Sequence, residues 1–287
     1  MNMLIGAIAG ALAALIFPYI LRKLKINDET AKKINPILAV GAVIVSINLY
    51  GTYLTESIKE DKAKLNTAFQ NFENLASGDT SVTTNQSTGD INANDASRGA
   101  YVLTEMTELN KPYVERVNAL SLKLTEIATE GMLGRKLYED ENTLNSARYF
   151  ITNYTKLLEE DLAIFDEVIA AETKFINALT LDKKFVSDMQ GAFNNSSKVA
   201  RELRVERIKA SKKFVEKVKV MVQLAEKNFG KTKITDDSID FLNEADNALY
   251  NKNWEELQQA ASEENKAVQA QAENQTKTFN SLKKSIK

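Results

Sequence analysis

Two stretches without a charged side chain constrain this chain more than anything else in it. Met3 to Leu21 is an uncharged run of nineteen residues, and Ile37 to Leu54 is a second of eighteen. At 1.5 Å of rise per helical residue, each is long enough to cross the ~30 Å of hydrocarbon in a bilayer. Backbone polar groups find no water there, so a helix is the form such a run takes. The first fifty-four residues therefore read as a transmembrane hairpin, with helices at about 3–21 and 36–54. Asn35-Pro36 gives the second helix an N-cap and a first-turn proline.

The connector sets the orientation. Arg22–Lys33 holds five basic residues against Asp28 and Glu29, which assigns it to the cytoplasm by the positive-inside rule. The N-terminus then lies outside, and the second helix returns the chain to the outside. Lys59, Lys62 and Lys64 oppose this assignment, but five positive charges outweigh three. Tyr19, Tyr50 and Tyr53 stand where interfacial aromatic residues belong. No positive charge precedes the first run, which separates it from a cleaved leader.

Gly6 and Gly10 form a GxxxG, and Ala14 extends the same small face. Such a face lets helix backbones approach closely in lipid. It serves either an oligomer or packing against the chain's own second helix through Ala42 and Ser46.

Beyond the hairpin the chain is polar and helix-prone, with three prolines and eleven glycines in 287 residues. Residues 55–76 continue the second helix as a stalk or the first helix of a bundle, since Ile58, Leu65 and Phe72 fall seven apart, with Ala68 and Phe69 between the last two and Leu75 beyond. Residues 77–97 are a Ser-, Thr-, Asn- and Gly-rich loop, expected to be flexible. Within it, Asp90, Asn92 and Asn94 echo a calcium loop, but Asp95 and Tyr101 replace its required glycine and glutamate.

Residues 98–287 carry a long-helix bundle. Apolar residues at spacings of three and four mark a helix to about Leu133, bent by Pro112 near Leu109. A second runs from Glu141 to about Thr180 and a third from Phe185 to Phe229, closed by Gly230. A shorter helix, Ile239–Tyr250, is expected to be capped by Thr235 or Asp236, with Leu242, Ala245 and Leu249 inward. A break at Asn251–Asn253 then precedes a last helix whose apolar face is thin, as if buried only on assembly. The fold class is all-α: a two-helix transmembrane hairpin followed by an elongated antiparallel helical bundle.

Composition limits the chemistry. With no cysteine and no histidine, there is no thiol nucleophile, no Cys or His metal ligand and no Ser-His-Asp triad. Adjacent acids such as Asp236-Asp237 point in different directions on a helix and make no acid–base pair. An enzyme, a cofactor or a metal is not expected.

The remaining signal is charge. Nine basic and three acidic residues lie between Lys198 and Lys219. Lys198, Arg201, Arg204 and Arg207 recur every three residues, and Lys212 continues the stripe. One reading is an anionic partner. The other is the chain itself: a turn near Asp182 would set residue 160 beside residue 204, so the acidic cluster of Glu159, Glu160, Asp161, Asp166, Glu167 and Glu172 would meet the stripe. No aromatic residue lies between Phe193 and Phe214, so no base-stacking surface and no nucleic-acid partner are expected.

These features point to a non-enzymatic, membrane-anchored scaffold or accessory subunit of a bacterial envelope complex. It would sit in the inner membrane with its bulk periplasmic or extracellular. Its partners would be the bilayer and a second copy or another membrane protein. The alternatives are an extracytoplasmic ligand sensor and a cytoplasm-facing bundle that binds anionic lipid or nucleic acid through the stripe.

Overall fold

The computed structural model describes residues 59–76, 78–84, 95–127, 132–181, 183–234 and 239–286. The hairpin, with Gly6, Gly10, Ala14, Ala42 and Ser46, lies outside the described residues. What is described is predominantly helical: α1 Lys59–Ala76, α2 Asp95–Ile127, α3 Glu141–Ala178, α4 Lys183–Asn228 and α5 Glu244–Ile286. A 3₁₀ turn, Arg135–Tyr138, precedes α3, and a ribbon of β1 (Lys233–Ile234) and β2 (Ile239–Asp240) precedes α5. The ribbon is antiparallel, with Ile234 opposite Ile239. No described helix is long and apolar enough to cross a membrane.

The chain divides into two compact units. One takes the described residues within 120–160 and 205–270, and the other takes those within 59–119, 161–204 and 271–286.

In the second unit the α1 stripe is buried as its spacing implies, through Leu65, Ala68, Phe69, Phe72 and Ala76. It packs on Val102, Leu103 and Met106 of α2, Ile176 of α3, and Met189 and Phe193 of α4. At Gly99 an added Cβ would come within 3.1 Å of Leu65 Cδ1, so α2 lies close against α1. After Ala76, Gly78 takes φ 88°. Its N–H donates to Leu75 O and that of Asp79 to Asn74 O, which closes α1 in a Schellman-type stop.

The polar stretch that follows is partly tied down. Val82 is buried with Leu75 and Val114. Asn71 Nδ2 donates to Thr83 O, and Asn118 Nδ2 to Gly78 O, both at 2.9 Å. Helix α2 then runs on through Pro112 and is described to Ile127, while Met132 and Leu133 lie in a turn.

In the first unit, Asp140 caps α3 by accepting from the N–H groups of Asn142 and Thr143 and from the Thr143 hydroxyl. Leu144, Ala147, Phe150, Tyr154 and Leu158 are buried along one face of α3. The Phe150 ring stacks on Tyr154 at 4.7 Å and meets Phe214 of α4 edge-on. Helix α4 stops at Asn228, and Gly230 follows at φ 67°.

Four expectations for the last third are corrected. Ile239 and Asp240 form a strand, so α5 starts at Glu244, where Asn243 Oδ1 accepts from Ala245 N. Leu242 precedes α5 and is 85% exposed, and on α5 Ala245 and Leu249 face solvent because other residues set its inward face. No break occurs at 251–253: Asn253 is buried, and its Nδ2 donates to Lys217 O at 3.0 Å. The face counted as thin is in fact covered, since Leu257, Ala260, Ala261, Glu264 and Val268 are all buried.

Candidate functional site

The basic stripe was the one chemical feature of the sequence, and α4 sends its members in different directions. Lys198, Arg201 and Lys212 are exposed, Arg207 is half-buried and Arg204 is buried. In the second unit Arg201 makes two hydrogen bonds to Asp166, at 2.8 and 3.0 Å. In the first, Lys212 Nζ lies 2.7 Å from Glu159. Lys213 and Lys217 hold Glu263 and Glu256 of α5. Four cations, Arg201, Lys212, Lys213 and Lys217, thus meet carboxylates on α3 or α5.

Arg204 differs from these in being 2% exposed. Its guanidinium carbon sits 3.8 Å from the centroid of the Phe165 ring. Its Nη1 donates to Ala200 O at 3.0 Å, and its Nε faces buried Asp161 at 3.7 Å. A planar, weakly hydrated guanidinium suits a stacked, buried position, where an ammonium would not. The turn between α3 and α4 dictates this register, so residues 161 and 204 are neighbours.

Two polar centres inside the helices were missed by sequence reasoning. In the first unit, Oε1 of buried Glu264 on α5 accepts from the Tyr154 hydroxyl of α3 and, at 2.6 Å, from Ser211 Oγ of α4. Burial raises the Glu264 carboxyl above its ordinary range, opposed by the Ser211 and Tyr154 donors and by the charge of Arg207. Burial, then the Glu264 charge, pushes the Tyr154 phenol up, so it serves as a donor. The cluster joins three helices through one carboxylate oxygen. Ser211 is fully buried and meets no solvent, so its hydroxyl works as a tie between helices.

In the second unit, Asn110 Nδ2 of α2 donates to Oε1 of Glu172 on α3 at 2.7 Å. Both side chains are wholly buried, and Asn110 Oδ1 and Glu172 Oε2 have no hydrogen-bond partner. Burial holds this carboxyl well above the usual glutamate range, with only the Asn110 bond acting the other way.

Both acids carried a legible signal. Val168, Glu172 and Ile176 are spaced by four, and Glu264 lies between Ala261 and Val268 on the apolar face of α5. A carboxylate on an apolar stripe is a buried one. Among the described residues there is no cluster of metal-ligating side chains.

No family model matches the chain. No curated protein and no solved structure matches it either.

Proposed function

We propose that this protein is a membrane-anchored helical scaffold, an accessory subunit of a bacterial envelope complex that acts through protein–protein contacts and not through catalysis. The observation that carries this reading is the pair of uncharged runs, Met3–Leu21 and Ile37–Leu54, directly ahead of a helical region. The basic connector between them argues for a hairpin with the bundle outside. GxxxG at Gly6 and Gly10, with Ala14, offers a face for a second copy or another membrane helix, while Ala42 and Ser46 offer the intramolecular alternative.

The helical region supports a structural role by the way its polar groups are used. Charged residues of α4 bind carboxylates on α3 and α5, and the buried carboxylates hold neighbouring helices. An anionic partner on the stripe would have to displace Asp166 from Arg201 and Glu159 from Lys212, and could not reach Arg204 without opening the core. This ranks the anionic-partner reading below the scaffold.

Photo-crosslinking in intact membranes tests the proposal. A crosslinker placed at exposed Leu242, Leu249 or Tyr149 should trap a defined protein or a second copy. A chain that remains an uncrosslinked monomer from all three positions, and from Gly6, would refute it.

A further inference from the structure

Of the buried glutamates Glu264 and Glu172, only Glu264 is provided for as an anion. Glu264 has two hydroxyl donors and a nearby guanidinium. Glu172 has a single amide donor, and its second oxygen faces no donor at all. The amide oxygen of Asn110 is in the same position. Two buried acceptors without a donor are costly, because each loses water and gains nothing. One proton on Glu172 removes the anion and supplies the missing donor.

The surroundings offer no alternative to that proton. One turn from Asn110 and Glu172, Met106 of α2 and Ile176 of α3 belong to the apolar cluster that also holds Phe69 and Phe72 of α1 and Met189 and Phe193 of α4. No charged side chain acts on the Glu172 carboxyl, the half-buried Arg98 and Glu105 and the exposed Glu115 of α2 included. On α2, Glu108 accepts from Thr84, Lys111 reaches Val82 O, and Arg116 holds Glu167 of α3. On α4, Arg201 and Arg204 hold Asp166 and Asp161 of α3. Lys174 of α3 and Lys184, Asp188 and Lys198 of α4 are exposed. Lys64 and Glu73 of α1 are half-buried, and neither acts on Glu172; nor do Glu273 and Lys277 of α5, which are exposed.

We propose that Asn110 and Glu172 form a proton-operated latch between α2 and α3. With the proton in place, a neutral carboxyl and a neutral amide pair inside the apolar core. When the proton leaves, a carboxylate with one donor remains there, and the two helices separate locally to let water reach it. The folded form then binds a proton that the open form releases. Its stability is fully present below the ordinary glutamate value of 4.5 and is lost as pH rises through the higher value of the folded protein. Glu264, with its donors and cation, is not the element that opens.

Amide hydrogen exchange of the full-length protein in detergent tests the latch. Exchange rates around Asn110 and Glu172 are compared between wild type and Glu172→Gln as pH is raised. Intrinsic base catalysis is common to both and cancels in the ratio. The latch predicts that the ratio of wild-type to variant rates grows about tenfold per pH unit until the folded-state value is passed. It predicts the same growth when Glu264→Gln is the background. A flat ratio, or growth abolished equally by Glu264→Gln, would overturn the proposal. Should Glu172→Gln not fold, the ¹³C carboxyl shift of Glu172 in the wild-type chain decides. Titration displaced well above the ordinary range supports the latch, and titration within that range refutes it.

Discussion

The hydroxyl of Tyr154 on α3 and the hydroxyl of Ser211 on α4 converge on a single carboxylate oxygen, Oε1 of Glu264 on α5. Three helices of the first unit are joined at that atom. Tyr154→Phe removes one donor and leaves the ring in place. It should cost about 1.5–3 kcal/mol, the range for a hydrogen bond to a charged group. Because the Tyr154 bond lowers the Glu264 pKa, its loss raises that value further. The deficit should therefore widen as pH rises, since Glu264 contributes least where it is ionised. Denaturant unfolding at two pH values measures both effects.

Breaking the Arg204–Asp161 pair from one side should be more damaging. Asp161→Ala leaves a buried guanidinium over the Phe165 ring without its carboxylate, and a loss of about 3–5 kcal/mol is expected. Replacing both members with apolar residues, Arg204→Met with Asp161→Leu, should recover most of it. Thermal unfolding of the two variants gives the comparison.

The exposed pairs should behave oppositely. Arg201→Gln or Lys212→Gln is expected to shift stability by less than ~1 kcal/mol, and added salt should erase the difference. These pairs select register more than they stabilise it. Unfolding at low and high ionic strength distinguishes the two roles.

Gly230 provides a backbone test. It holds φ 67°, and nothing lies within 4 Å of where a Cβ would stand. Gly230→Ala therefore introduces left-handed strain without a clash, and should cost about 1–2 kcal/mol. A steric explanation is excluded in advance at this position, so an unchanged midpoint of unfolding would mean that the turn after α4 rearranges freely.

Much of the fold was legible because apolar spacing and glycine placement are local signals. The Leu65–Phe72 stripe, the turn between α3 and α4, and Gly230 after α4 all follow from residues a few positions apart. The neighbourhood of residues 161 and 204 followed from one turn position. What was not legible depends on partners distant in sequence. Asn253 reads as a breaker until Lys217 O is placed beside it. Ala245 and Leu249 read as core until Leu257, Ala261 and Glu264 define the inward face of α5, and Leu242 until the β2 strand moves the helix start past it. Glu167 and Glu172 read as partners of the α4 cations until Arg116 and Asn110 of α2 are placed beside them. Only their position on the apolar period marks Glu172 and Glu264 as buried.

The side of the membrane on which Lys287 lies tests the central claim most directly. Two C-terminal fusions would be compared, one reporter active only outside the cytoplasm and the other only inside. A hairpin with a basic cytoplasmic connector predicts activity from the outside reporter alone. Activity from the cytoplasmic reporter would contradict that orientation, and the exposed cations Lys198, Arg201 and Lys212 would then face anionic lipid on the inner leaflet.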